Sequence, residues 1–101
     1  MYEKCAASLR MTRMILEGGS LDETVYKCQV IAYHQESECI YLLTGRSGLT
    51  AFSLDGIYEC MVETEEGIVR CRGMIRERYG NKLGKIVVMK VKNGFYKNTV
   101  N

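Results

Sequence analysis

Four arginines occupy alternating positions within one segment of the chain: Arg70, Arg72, Arg76 and Arg78. If this segment is a β-strand, alternate residues share one face and the strand presents a row of guanidinium groups. Guanidinium groups bind phosphate and carboxylate bidentately and stack on bases. The row therefore predicts a surface that contacts a nucleotide or a protein partner.

An ordinary solvated surface is the alternative interpretation of this row. Glu59 and Glu63 are expected on the neighbouring strand with the same orientation, where they would pair with the arginines. Surface pairs of this kind contribute about 0–1 kcal/mol each, but they reduce the charge of the surface.

The remaining chemistry-bearing residues predict no catalytic residue, no cofactor and no metal site. His34 is the single histidine and lies beside a glutamate-rich turn with no nucleophile identified near it. The five cysteines include no CxxC pair, so with one histidine they do not form a zinc pattern. Reduced, buried thiols are expected at these five positions, Cys5, Cys28, Cys39, Cys60 and Cys71.

The segment that holds the arginine row reads as an antiparallel meander. Alternating apolar and polar residues predict strands over 24–34, 39–44 and 85–92, and a hairpin on either side of Glu65-Glu66. A two-residue loop there pairs Val62 with Val69, Cys60 with Cys71 and Tyr58 with Gly73, so that the inner faces match. We interpret Tyr58 as an aromatic side chain that compensates for the glycine opposite it.

Four other predictions concern the remaining segments. Residues 49–52 are expected to be a short extended piece, Asn93-Gly94 reads as a turn, and the run 86–89 is apolar on both faces of its strand. Residues 2–17 are predicted to be an α-helix, because Tyr2, Cys5, Leu9 and Leu16 fall near one stripe and two glycines follow.

The fold class expected from these elements is mainly β. We predict one domain over residues 1–101, in which an N-terminal helix precedes a small, split antiparallel barrel of five to seven strands at about 24–98.

The segment from Tyr26 to Tyr96 resembles the N-terminal split barrel of flagellar-brake-type PilZ proteins. The resemblance rests on the strand pattern, on the Asp55-Gly56 turn and on the I-x-E-R-Y run at 75–79. In that family the barrel precedes a second barrel that binds cyclic di-GMP through R-x-x-x-R and a later D/N-x-S-x-x-G. Arg72 and Arg76 match the first half in spacing, and the second half is absent from this chain.

Composition and the resemblance together set the functional expectations. The chain has 101 residues, a formal net charge of +2 and no long apolar window or secretory signal, so a cytoplasmic protein without a membrane segment is expected. The first hypothesis is a non-enzymatic regulatory or binding module of a bacterial-type cytoplasm, with a protein partner, a cyclic dinucleotide or a second copy of itself on the arginine row. The alternatives are an RNA- or single-strand-binding barrel of SH3-like or OB-like type, and a flavin-binding split barrel. The low net charge by itself does not indicate nucleic acid.

Overall fold

Six antiparallel strands form a closed barrel in the computed structural model, which describes residues 2–14, 23–45, 52–54 and 56–97. The order around the barrel is β1-β2-β3-β6-β5-β4, and β4 pairs with β1 to close it. The predicted small antiparallel barrel is confirmed. The strands are β1 (Ala6–Met14), β2 (Val25–His34), β3 (Cys39–Leu43), β4 (Gly56–Thr64), β5 (Gly67–Asn81) and β6 (Gly84–Lys97).

The predicted N-terminal helix is wrong, because its central part is strand β1. Ala7, Leu9 and Met11 point inward and are buried, so the pattern that matters here has a period of two rather than 3.6. Strand β1 lies between β2 and β4 and pairs with both. Without it each of those strands would leave a row of backbone groups unpaired, and this gain outweighs the helical preference of the segment. Residues 15–17 of the predicted helix lie outside the described residues.

The β4–β5 hairpin has the predicted register. Val62 pairs with Val69, Cys60 with Cys71 and Tyr58 with Gly73, and Thr64 pairs with Gly67 around a two-residue loop. No register shift interrupts the pairs from Ile57 to Thr64. The hairpin therefore presents one continuous inner face and one continuous outer face.

Bulges outside this hairpin reverse which residues face the core. The extra residues include Thr12 in β1, Ile31 in β2, Arg76 in β5 and Lys92 in β6. After Ile31, for example, Tyr33 pairs with the core residue Ile40 and packs against the interior, although simple alternation predicts that it points outward. A bulge places two residues opposite one, so every residue beyond it changes face.

Strand β6 confirms one prediction and contradicts another. Residues 86–89 are buried on both faces, as their apolar run predicts. The turn predicted at Asn93-Gly94 is wrong, since β6 continues to Lys97, and its register against β5 shifts on either side of Arg72. Of the short extended piece predicted at 49–52, residues 49–51 lie outside the described residues and Phe52 lies in a bend.

Gly73 is required by the backbone of β6 rather than by Tyr58. A Cβ atom at this position would overlap the carbonyl oxygen of Lys90, because the Lys90–Val91 backbone of the neighbouring strand β6 lies very close to Gly73. The aromatic compensation inferred for Tyr58 is therefore not the reason for the glycine. Tyr58 instead accepts a hydrogen bond from the backbone N–H of Ser53 at 2.9 Å, next to the buried ring of Phe52.

Candidate anion-binding surface

Glu59 is a carboxylate on the outer face of β4, yet its side chain is only 5% exposed. Arg70 donates from Nη1 to Oε1 of Glu59 at 3.0 Å. The Nη2 atom of Arg10 lies 3.6 Å from Oε1, and the Nε atom of Arg72 lies 3.7 Å from Oε2. A carboxylate that loses water needs compensating charge, and these three guanidinium groups provide it.

The strand register explains why these residues meet. Glu59 pairs directly with Arg10 of β1 on one side and with Arg72 of β5 on the other. Arg70 is opposite Met61 and reaches Glu59 along the diagonal. Side chains opposite one another in an antiparallel pair have Cβ atoms about 5 Å apart, so the register alone brings the charges together.

The cluster keeps an excess of positive charge. One carboxylate is surrounded by three arginines, and the side chains of Arg10 and Arg72 are 55% and 50% exposed. The Nε atom of Arg70 is buried and has no hydrogen-bond partner in the described part of the chain. Glu59 therefore holds one guanidinium nitrogen of each arginine, while the side chains of Arg10 and Arg72 remain about half exposed.

Two further cations continue this surface. Arg13 and Lys92 line an open depression together with Thr12, Ile57 and Arg72, with a volume of about 420 Å³. Both cations are exposed. We call the set the basic surface; its members are Arg10, Arg13, Arg70, Arg72 and Lys92, with Glu59 at its centre.

The structure divides the predicted arginine row into two parts. Arg70 and Arg72 belong to the basic surface. Arg76 is the bulged residue of β5, and its Nη1 atom lies 3.7 Å from Sγ of Cys39 on β3. Arg78 pairs with the core residue Val87, and donates from Nη1 to the carbonyl oxygen of Phe52 at 2.6 Å.

The division also separates the two arginines that match the cyclic di-GMP half-motif. Arg72 contacts Glu59 on the β4 side of β5, whereas Arg76 reaches across β6 to Cys39. The expected pairing of Glu59 with the row is present for Arg70 and Arg72. Glu63, the other glutamate expected to pair with the row, is exposed.

Arg10, Arg13 and Lys92 of the basic surface lie outside the arginine row that the sequence predicts. Two of them were placed in the wrong element, because residues 2–17 were assigned to a helix. The alternation of Ala7, Leu9 and Met11 was the available signal for a strand, and it would have placed Arg10 outward. Arg13 lies beyond the Thr12 bulge, for which the alternating pattern contains no signal, whereas the inward alternation of Val87, Met89 and Val91 already directs Lys92 outward.

His34 and Cys39 form no acid–base site. They are direct partners across β2 and β3, which the sequence analysis did not recognise. The ring of His34 packs at a tilt against the ring of Tyr41 with centroids 4.7 Å apart, and the thiol of Cys39 donates to the carbonyl oxygen of Ser37 at 3.5 Å. The histidine therefore has an aromatic neighbour, and the thiol is directed at the backbone.

The thiols inside the barrel act as small apolar groups. All five cysteines are free, and Cys60 and Cys71 are fully buried opposite one another. A hydrogen bond with Cys71, together with burial, raises the pKa of Cys60 well above its usual value. Burial also raises the pKa of Cys28 to about 12. These two thiols stay protonated at neutral pH, and the thiolate is the reactive form.

Comparison with known proteins gives no relative. No protein-family model, no curated protein and no solved structure matches this chain. Within the described ranges, no group of three or more His, Cys, Asp or Glu side chains is arranged to hold a metal ion. The same residues contain no helix that is long and apolar enough to cross a membrane.

Proposed function

We propose that this protein is a non-enzymatic binding module that contacts anionic groups of its ligand or partner through the basic surface. The observation that carries the proposal is Glu59, buried under Arg10, Arg70 and Arg72. A buried ionic cluster is weak evidence for stability, since apolar residues of similar volume often stabilise a fold as well or better. Its value here is that it holds guanidinium groups in fixed positions before a ligand arrives, which lowers the entropic cost of binding.

A binding role is favoured over catalysis by the state of the candidate groups. Two candidate nucleophiles, the thiols of Cys28 and Cys60, have raised pKa values and are held in the unreactive protonated form. A regulatory role, with a protein partner or a second copy of the chain, remains part of the proposal. The resemblance to PilZ-type barrels is likewise a proposal, and it rests on the strand pattern.

A cyclic dinucleotide remains a candidate ligand, but the site proposed for it changes. Arg72 and Arg76 contact residues on opposite sides of β5, so they do not form one binding unit. If a cyclic dinucleotide binds, we place its phosphates on the basic surface instead. A flavin-binding barrel would show a visible absorption spectrum after purification, which distinguishes it from this proposal.

Single-stranded nucleic acid is the second candidate ligand. The feature that favours it is the positive charge of the basic surface. Proteins of that class combine a basic groove with aromatic side chains on which bases stack. The basic surface is defined by its charged residues, and Tyr96 of β6 is the register partner of Arg70. Tyr79, which is 38% exposed, lies on β5 beyond the Arg76 bulge.

Two charge reversals on the same strand test the proposal. We expect Arg72→Glu to elute from a heparin column at clearly lower salt than the wild-type protein. Arg76→Glu changes the net charge equally and is the matched control, so its elution should shift little. Arg10→Glu provides a second variant on β1, and circular dichroism checks that each variant folds. Equal shifts for Arg72→Glu and Arg76→Glu would mean that net charge, and not this surface, determines binding.

A further inference from the structure

Two bulges meet on the outside of the barrel, on either side of the β4–β5 hairpin. Thr12 is the extra residue of β1, between the Met11–Tyr58 and Arg13–Ile57 pairs. Lys92 is left unpaired in β6, between the Gly73–Val91 and Arg72–Asn93 pairs. A bulge gives up regular pairing and redirects a side chain, and bulges are common next to functional sites. Here both of them bring a cation toward Arg72.

The depression between these bulges is built from four strands. Arg13 comes from β1, Ile57 from β4, Arg72 from β5 and Lys92 from β6, and Thr12 completes the wall. The hydroxyl of Thr12 donates to the carbonyl oxygen of Ile57 at 3.2 Å, which ties the β1 bulge to β4. The result is an open cavity with an apolar part at Ile57 and three converging cations.

The three cations have capacity left for a ligand. Glu59 contacts Arg72 through Nε, so the two terminal nitrogens of this guanidinium group are not used by that contact. Neither Arg13 nor Lys92 forms an ion pair within the described ranges. Like charges held close together repel one another, and an anion placed between them removes that repulsion.

Phosphate is the anion that suits this arrangement best. A carboxylate brings one charge, whereas a phosphate ester or a diphosphate brings more charge on several acceptor oxygens in a compact group. Arginine binds such oxygens in pairs and lysine acts as a point charge beside them. The cavity volume of about 420 Å³ is within the range of about 300–1,000 Å³ that small-ligand sites occupy.

We propose that the depression lined by Arg13, Arg72 and Lys92 binds the phosphate groups of a small phosphorylated molecule. This inference rests on the proposed function and specifies where on the basic surface the ligand sits. Glu59 acts as a positioning residue, since it fixes Arg72 without facing the ligand. Gly73 acts in a similar way, because it lets β6 approach closely enough to present Lys92.

Titration with inorganic pyrophosphate, followed by amide chemical shifts, tests the site. We expect shifts to concentrate at residues 12–13, 57, 72 and 92. Arg13→Gln and Lys92→Gln should each weaken binding about tenfold, which corresponds to about 1.4 kcal/mol. Lys82→Gln and Arg76→Gln remove one exposed charge elsewhere, and each should change the affinity by less than about twofold. Equal weakening by all four variants would overturn the proposal.

Two comparisons separate this inference from the proposed function. If Arg72→Glu reduces heparin retention but Arg13→Gln and Lys92→Gln leave pyrophosphate binding unchanged, the basic surface stands and the phosphate site is wrong. If Arg72→Glu has no specific effect on heparin and pyrophosphate does not bind, both proposals fail. A polyglutamate peptide that binds the depression more tightly than pyrophosphate would overturn the choice of phosphate.

Discussion

The β4–β5 hairpin and the β5–β6 pair share a strand but are built differently. The hairpin pairs residue for residue from Ile57 to Thr64 without a shift. The β5–β6 ladder is interrupted at three places, between Arg70 and Arg72, between Arg72 and Gly73, and between Ile75 and Glu77. Strand β5 therefore has one regular edge and one irregular edge.

The charges on the two sides follow this difference. On the regular side, direct cross-strand pairing sets Glu59 against Arg72 and the charges partly neutralise one another. On the irregular side, Lys92 is left unpaired in the ladder and exposed. Regular pairing produces a fixed charge cluster, whereas bulges leave cations available for a ligand. The two sides meet at Arg72, which is why we place the ligand there.

The largest expected effect comes from Gly73→Ala, which disturbs the irregular side. A Cβ atom would overlap the Lys90 carbonyl, so β6 must move away from β5. We expect a loss of about 3 kcal/mol or more in the free energy of unfolding, measured by urea denaturation. Gly80→Ala is the control, because a Cβ there has its nearest contact at 3.8 Å.

One outcome would contradict the explanation given for Gly73. If Gly73→Ala is no more destabilising than Gly80→Ala, the close approach of the β6 backbone to Gly73 is not a feature of the folded protein. The bulge at Lys92 would then lose its structural cause. A pyrophosphate titration of Gly73→Ala, where the variant folds, adds a second measurement, since displacement of Lys92 should weaken binding.

Glu59→Gln is expected to have the next largest effect, on the regular side. Glutamine keeps the size of the side chain but removes the charge, which leaves Arg10, Arg70 and Arg72 facing one another. Because hydrogen bonds to charged groups contribute about 1.5–3 kcal/mol, we expect a loss in that range in urea denaturation. Glu63→Gln alters an exposed glutamate on the same strand and should stay within about 0.5 kcal/mol. Similar losses for both variants would show that Glu59 is not the centre of a buried cluster.

The same contrast explains what the sequence could predict. The hairpin was predictable to the residue because a two-residue loop and the need to match inner faces leave one register. Arg70 and Arg72 were therefore placed correctly, together with their partner Glu59. The faces of Tyr33 and Arg78 were not predictable, because one bulged residue reverses the alternation and leaves no mark in the pattern of apolar residues.

The helix predicted for the N-terminal segment was wrong for a different reason. Its apolar residues fit a helical stripe and a strand alternation almost equally well, and only pairing with β2 and β4 decides between them. That pairing is a property of barrel closure and joins residues as far apart in the chain as Ala7 and Val62. Arg10 and Arg13 were therefore not predicted as part of the candidate site, although the alternation of Ala7, Leu9 and Met11 also fits a strand that directs Arg10 outward.

The smallest effect is expected for Arg78→Gln. This variant tests directly whether the Arg76 bulge reverses the faces of β5. In the structure Arg78 lies on the core-facing register and donates to the carbonyl oxygen of Phe52, a residue that is fully buried. Removing this donor should cost about 1 kcal/mol in the free energy of unfolding, because a carbonyl group in the interior loses a partner.

Arg76→Gln is the matched control for that variant, since Arg76 is exposed and its described contact is a weak one with a thiol. It should change stability by less than about 0.5 kcal/mol. If Arg78→Gln and Arg76→Gln lower the free energy of unfolding by equally small amounts, Arg78 points outward with the other arginines. The Arg76 bulge then does not reverse the faces of β5. The arginine row would then be continuous, and the Arg72 and Arg76 half-motif would again be one surface. A larger effect at Arg78 than at Arg76 supports the division of the strand on which the basic surface depends.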